Sequence, residues 1–363
     1  MKLKAGILGV GAAGMEFVKA LENHPDFEVV EIFGNTTVGK TLEDVARLSK
    51  GELQQVRKIR IKPIAEINQD LDIICSALPS DTAKRIEAEC ANHTPVVSTT
   101  SAYRYESDVP VIITEINSGH YRLLELQQQR GWKGWILPGP NCTTVGLVMS
   151  LYTIYKEFGV KRVVMSSYQS VSGAGKEKLY LWEKQRTTEL PFPLDNITQD
   201  LIIEGNVIPL IEGEEAKVKR ESLKVLGEYK SGGITTPNFD VQCTCVRVPV
   251  AVGHLETVFV ETENQVSIEQ VLSAYSRFNE ASSKNYGTLY SSPKNTITFV
   301  DVPQPRLHAN LDGGMTAIIG RLEAEDNRIR YVVLSNNLQR GAAKGVIHVA
   351  EYLHSIGFLA KKS

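Results

Sequence analysis

The sequence predicts an α/β protein: a Rossmann-type doubly wound parallel sheet, then an α+β unit built on a mixed sheet. Three observations carry this. A glycine-rich turn, Gly9-Val10-Gly11-Ala12-Ala13-Gly14, lies between an apolar strand pattern and a helical one at the start of the sequence. Short apolar segments then alternate with helical ones through the first third, which is the pattern of a parallel sheet. The middle third changes to longer alternating segments, as expected for a mixed or antiparallel sheet.

Taken in order, residues 4–8 read as the first strand and 13–21 as the first helix. Residues 27–33 and 72–78 are the next strands, the latter stopped by Pro79. Residues 95–98, 109–113 and 135–137 complete the first set. Residues 162–168, 246–252 and 256–260 read as strands of the second sheet. Residues 340–353 form an amphipathic helix, whose place in the fold periodicity does not give.

Bulk properties bound the answer. A chain of 363 residues is long for one core, so two domains are expected. With 42% hydrophobic residues, 23% charged residues and a net charge of −2, it reads as a soluble globular protein that binds neither nucleic acid nor a membrane surface. No apolar run reaches membrane-spanning length, and the N-terminal residues enter a strand pattern directly, so no leader peptide is expected. Five cysteines, odd in number and sparse, argue against a disulfide framework and for a reducing, cytoplasmic setting. Cys243 and Cys245 make a poor metal site, being two ligands on one strand without a second pair; no metal is expected.

Chemistry concentrates at four places. Gly9, Gly11 and Gly14, with Ala12 and Ala13, give the tight turn and open helix start that receive a dinucleotide pyrophosphate. The second strand ends in Asn35, Thr36, Thr37 and Lys40 rather than in an acid. Glu31 lies further back, before the strand ends. Nothing there repels a 2′-phosphate, so NADP is expected ahead of NAD. Cys142 opens an apolar helical run after Pro140-Asn141. A helix start favours thiolate over thiol and offers N–H groups to an oxyanion; a buried structural cysteine is the competing reading. His254 ends a strand pattern beside Gly253, with Arg247 on the same pattern. A cation–imidazole pair suits an anionic substrate and acid–base work near neutral pH.

Together these residues resemble the aspartate-semialdehyde dehydrogenases, specifically the archaeal and fungal branch, over essentially the whole chain. Pro140-Asn141-Cys142-Thr143-Thr144 is similar to the family's nucleophile motif. Ser167 to Gly175 resembles the motif that follows it, and Arg247 to His254 keeps the arginine–histidine spacing. Asn206-Val207-Ile208-Pro209 with Glu214 to Lys217, Arg104 before Asp108-Val109-Pro110, and Asn337 before Arg340 to Ala343 are also family-like. The resemblance implies that Cys142 is the nucleophile, His254 the acid–base group and Gln169 an orienting residue. It implies that Arg247 clamps the substrate carboxylate, that Glu214 meets the substrate amino group, and that Arg104 and Lys217 hold phosphate. Asn141 is grouped with these substrate-binding residues. Spacing alone also allows Glu214 and Lys217 a plain helical ion pair.

Ser172, Gly173 and Asn337 would lie against the nicotinamide. The implied division is 1–141 with 337–363 for NADP, and 142–336 for catalysis and dimerisation, in a homodimer or homotetramer. The implied reaction is reduction of L-4-aspartyl phosphate by NADPH, as in lysine, threonine and methionine biosynthesis. Malonyl-CoA reductases share the architecture and are the nearest rival. N-acetylglutamyl-phosphate reductases fit the cysteine and histidine motifs less well. A catalytically inactive dinucleotide sensor is the reading from another class. Three positions depart from the family pattern: the glycine turn is one residue tighter, Thr36 stands where an arginine is common, and Gly139 stands where asparagine is common.

Overall fold

The computed structural model describes residues 2–46, 48, 52–187 and 202–362. The strands are β1 Leu3–Leu8, β2 Phe27–Gly34, β3 Ile61–Pro63, β4 Ile73–Ser76, β5 Val96–Ser98, β6 Ile136–Pro138, β7 Arg162–Gln169, β8 Glu228–Lys230, β9 Gly233–Thr235, β10 Asp240–Arg247, β11 His254–Glu261, β12 Ile297–Phe299, β13 Ala317–Glu325 and β14 Arg328–Ser335. One sheet is wholly parallel in the order β3-β2-β1-β4-β5-β6, the doubly wound arrangement with its switch point at β1/β4. β8 and β9 form a small antiparallel sheet by themselves, and the second six-stranded sheet has the order β10-β7-β11-β14-β13-β12. It is mixed: β10 runs parallel to β7 and β12 to β13, and the remaining pairs are antiparallel.

Each sheet has its own core. Ile7, Phe17, Val18, Ile32 and Ile73 pack with Ala343, Val346, Ile347, Ala350 and Leu353 of the C-terminal helix Ala343–Ser355. That helix therefore lies against β5 and the first helix, Ala12–Leu21. The second core joins Val163, Met165, Val258, Ile319 and Val333 to the helix Cys142–Phe158 and to Tyr275 of the long helix Ile268–Tyr286. The helix from Cys142 thus leaves the end of β6 in one sheet and lies on the face of the other.

Three expected elements differ. Residues 109–113 form no strand. Pro110 removes a ladder donor, and the Asn117 amide serves as substitute partner, accepting from Ile113 N–H and donating to Val111 C=O. The strand expected at 246–252 lies earlier, at β10. Pro249 interrupts it, and Arg247 and His254 are consequently not on one strand: Arg247 closes β10 and His254 opens β11. The C-terminal helix begins at Ala343 rather than at residue 340, because 336–342 form a turn in which Asn336 Oδ1 accepts the N–H groups of Leu338 and Gln339.

Ile319 is fully buried in β13 and is not among the residues that line the cleft. Ile319→Ala should cost about 2–5 kcal/mol, the range for emptying a packed core site, measured by chemical denaturation.

Candidate active site

At the nucleotide end, Gly9 adopts φ +89°, and a Cβ there would stand 2.9 Å from Ala77 O. A Cβ on Gly14 would lie 1.9 Å from Gly9 O, so the turn closes only with glycine. Gly11 faces open space and N-caps the first helix, whose first turn carries no acid. These features fit a pyrophosphate resting on free N–H groups. Gly11, Ala12 and Ala13 line a cleft of about 500 Å³ together with Arg104, Asn141, Cys142, Ser172, Gly173 and Asn337. Asn35, Thr36, Thr37 and Lys40 follow the end of β2, and Glu31 is engaged by Lys62 at 2.5 Å. Arg60, exposed, donates to Gly39 O at 3.0 Å. It joins this loop through a lone bridge to Thr41, a contact with no local signal in the sequence.

Cys142 is the first residue of its helix. Asn141 caps it, its Oδ1 accepting the N–H groups of Thr143 and Thr144, both at 3.0 Å. His254 Nε2 lies 3.3 Å from Cys142 Sγ. On the far side of the ring, Ser170 N–H donates to Nδ1 at 3.1 Å. A backbone N–H can only donate, so Nδ1 is an acceptor and the neutral ring carries its proton on Nε2. Burial, then the Arg247 charge, lowers this imidazole to about 3. The histidine is therefore neutral near pH 7 and set to donate toward sulfur.

The thiol departs from the thiolate expected of a helix start. Burial pushes it up to about 12, and the Glu214 charge adds to this; Arg104, Arg247 and the Thr143 N–H pull the other way. Burial and a nearby carboxylate outweigh the helix terminus in the ligand-free site.

Glu214 gathers the remaining residues. Its Oε1 accepts from Asn141 Nδ2 at 2.8 Å, Thr143 Oγ1 at 3.3 Å and Gln169 Nε2 at 3.4 Å. Its Oε2 lies 3.5 Å from Lys217 Nζ, so the helical ion pair forms and the carboxylate also belongs to the cysteine's surroundings. Arg247 is buried beside the same centre and donates to Ser170 O at 2.6 Å. A Cβ on Gly173 would stand 3.0 Å from the His254 ring and 3.1 Å from Arg247 Nη1, so a side chain there would press on both. Asn337 accepts from Ser170 Oγ at 3.0 Å and Gly253 N–H at 2.9 Å, and donates to Ser172 Oγ at 3.0 Å.

Arg104 is buried, donating to Glu221 at 3.2 Å and to Thr99 O at 3.0 Å. Sequence reasoning missed Glu221, which also receives the Asn141 N–H at 2.6 Å. Its signal was spacing: residues 214 and 221 are two turns apart on one helix face. Ser170, the histidine's partner, lies within the Ser167 to Gly175 motif, whose sequence alone assigns it no role. Among the described residues no group of three or more His, Cys, Asp or Glu is placed to hold a metal ion. All five cysteines are free, and no helix there is long and apolar enough to cross a membrane.

A Rossmann-ordered sheet whose glycine turn opens into the same cleft as a cysteine–histidine pair defines a two-unit, dinucleotide-dependent oxidoreductase. The chain belongs to the semialdehyde dehydrogenase family: residues 4–124 match the model "Semialdehyde dehydrogenase, NAD binding domain" and residues 151–340 match "Semialdehyde dehydrogenase, dimerisation domain". It is 35% identical to an aspartate-semialdehyde dehydrogenase of Methanothermobacter thermautotrophicus, covering 98% of this chain and 99% of that one. A malonyl CoA reductase (NADP) of Metallosphaera sedula is 30% identical, with 99% of each chain covered. Among solved structures, the aspartate semialdehyde dehydrogenase of Candida albicans with NADP superposes with a TM-score of 0.81 at 28% identity, covering 99% of this chain and 100% of that one.

If Glu214 helps hold the thiol protonated, removing its charge should free the thiol. Glu214→Gln should speed iodoacetamide alkylation of Cys142 at pH 8 several-fold, read by mass spectrometry of the labelled peptide. An unchanged rate would remove Glu214 from this account.

Proposed function

We propose that this protein is an aspartate-semialdehyde dehydrogenase that reduces L-4-aspartyl phosphate to L-aspartate 4-semialdehyde and phosphate with NADPH. The observation that carries the proposal is the Cys142–His254 contact of 3.3 Å in the cleft shared with the glycine turn.

Cys142 sulfur attacks the acyl carbonyl and gives up its thiol proton to the departing phosphate as the C–O bond to phosphate breaks, leaving a thioacyl enzyme and hydrogen phosphate. Reduced nicotinamide, when bound, is the source of the hydride that converts the thioacyl carbon to a thiohemiacetal. Collapse of that adduct frees the aldehyde and returns the cysteine. The Asn141 cap engages the N–H groups of Thr143 and Thr144, so the oxyanion is left to the Cys142 N–H and to His254 Nε2–H. Arg247 pairs with the substrate α-carboxylate, and Gln169 orients the reacting group. Arg104 and Lys217 hold the phosphate. The substrate ammonium meets Glu214 and neutralises the charge that raises the thiol, so binding itself arms the nucleophile.

Gly9 to Gly14 hold the pyrophosphate, with Ser172, Gly173 and Asn337 beside the nicotinamide. Asn35, Thr36, Thr37 and Lys40, joined by Arg60, favour NADP because no free acid ends β2. We assign 1–141 with 337–363 to the nucleotide and 142–336 to catalysis, in a cytoplasmic homo-oligomer feeding lysine, threonine and methionine synthesis. The partner surface is the open face of the mixed sheet, where Val164 and Phe259 are 41% and 50% exposed among Arg162, Glu261, Arg328 and Arg330. Malonyl-CoA reduction is disfavoured because malonyl-CoA's acyl group brings no amine to Glu214.

With semialdehyde, phosphate and NADP, the protein should produce NADPH, with kcat/KM at least ten-fold above that for NAD, and Cys142→Ala should be inactive while retaining NADPH fluorescence. Activity with malonyl-CoA and none with the semialdehyde would reverse the assignment. Separately, Phe259→Asp should shift the native species toward monomer in light scattering after gel filtration.

A further inference from the structure

A line of buried charged groups runs from the cysteine's surroundings into the nucleotide unit. Arg340 forks onto Glu115, Nη1 to Oε1 at 3.0 Å and Nη2 to Oε2. His348 Nε2 is 3.4 Å from Glu115 Oε1, and its Nδ1 is 3.5 Å from Glu351 Oε2. Ser291 joins them, its Oγ 2.8 Å from His348 Nδ1 and 2.9 Å from Glu351. Glu351 Oε1 then meets His24 Nε2 at 2.9 Å. His24 accepts Asp26 N–H at Nδ1, so its proton is on Nε2 and donated to Glu351. All five charged or ionisable residues are buried. With His348 protonated, Arg340 and His348 balance Glu115 and Glu351, and a balanced set is the form such a cluster tolerates.

The near end of this line touches the proposed chemistry. Arg340 follows Asn337 by three residues in the same turn, where Asn337 binds the histidine's partner Ser170, and directly precedes Gly341. A Cβ on Gly341 would stand 2.9 Å from Cys142 Cβ and 3.0 Å from Asn337 Cα. The turn 336–341 is therefore pressed between the cysteine and the Ser170–His254 pair, and its one buried ionic anchor is the Arg340–Glu115 fork. We propose that Arg340, anchored by Glu115, is a positioning residue for Cys142: the fork fixes the 336–341 turn so that Gly341 holds the sulfur against His254 Nε2. A planar bidentate fork is a geometric constraint that a lysine does not supply.

The inference rests on Cys142 as nucleophile, and the experiment separates the two. Wild-type protein and Cys142→Ser are alkylated with iodoacetamide at pH 8, which tests accessibility of the thiol without turnover. Arg340→Lys and Glu115→Gln should then lower kcat at least ten-fold while KM for semialdehyde and NADP stays within three-fold, and should raise the Cys142 alkylation rate at least three-fold. Ile319→Ala, destabilised elsewhere, should leave the alkylation rate of the folded protein unchanged. Gly341→Ala keeps the fork and displaces the sulfur directly, and should also lower kcat ten-fold, so it decides the matter if the fork variants do not fold. Wild-type kcat and alkylation in folded Arg340→Lys or Glu115→Gln, or wild-type kcat in Gly341→Ala, would overturn the proposal. Absence of any semialdehyde activity in the wild type, with the alkylation differences intact, would instead overturn the assigned reaction and leave the positioning role standing.

Discussion

Asn141 is the constraint on which the site depends. Its side-chain carbonyl caps the Cys142 helix, its side-chain amide binds Glu214, and its backbone N–H binds Glu221. Losing a cap of this kind costs a helix about 0.5–2 kcal/mol, yet the larger consequence here is geometric. The cap fixes where the first helical residue begins, and that residue is the cysteine. Through Glu214 the Asn141 side chain also reaches Gln169, and through Glu221 the Asn141 backbone N–H reaches Arg104. Four elements separated widely in sequence thus refer their positions to one residue.

The mixed sheet supplies the other half of the arrangement. Parallel pairing sets Arg247 beside Gln169 at the ends of β10 and β7. Antiparallel pairing sets His254 opposite Ser335 at the adjoining end of β11. Three polar side chains therefore reach one corner of the sheet because three strands end there. The helix from Cys142 lies across that sheet and delivers the sulfur to the same corner. The cleft is where this corner meets the C-terminal edge of the parallel sheet, the end at which ligands bind in folds of this class.

The parallel sheet, the glycine turn and the cysteine at a helix start were legible because each is a local pattern: alternation, glycine spacing, and Asn before an apolar helical run. The 109–113 strand failed because a short-range side-chain contact, the Asn117 amide four to six residues on, took over backbone groups that a ladder would have used. Arg247 and His254 belong to the site through pairing of separate strands, which spacing within one segment misreads as a single strand. Glu221, Ser170 and Arg60 act through contacts between residues far apart in sequence, 80 positions in the case of Glu221 and Asn141; the spacing of Glu221 from Glu214 marks a shared helix face but not what that face touches. The protonation of the cysteine was misread for a related reason: helix position is local, and burial is not.

That last difference bears on how the site works. A second acid, Glu256, lies on β11 two residues from His254, fully buried, with neither carboxyl oxygen partnered. A Cβ on Gly146, one turn along the helix from Cys142, would stand 2.7 Å from its Oε1. Burial holds Glu256 well above the ordinary carboxyl range, so it stays protonated and contributes no charge beneath the cysteine. Glu221 is charge-paired with Arg104 at 3.2 Å. Of the three buried acids around the helix start, Glu214 raises the thiol most, set against Arg104 and Arg247. Control of the sulfur therefore centres on one carboxylate whose partner on the cleft side, Lys217, is half-exposed at 3.5 Å. A weak pair of that kind is readily exchanged for an incoming ammonium, and the exchange changes the charge next to the sulfur without moving any backbone.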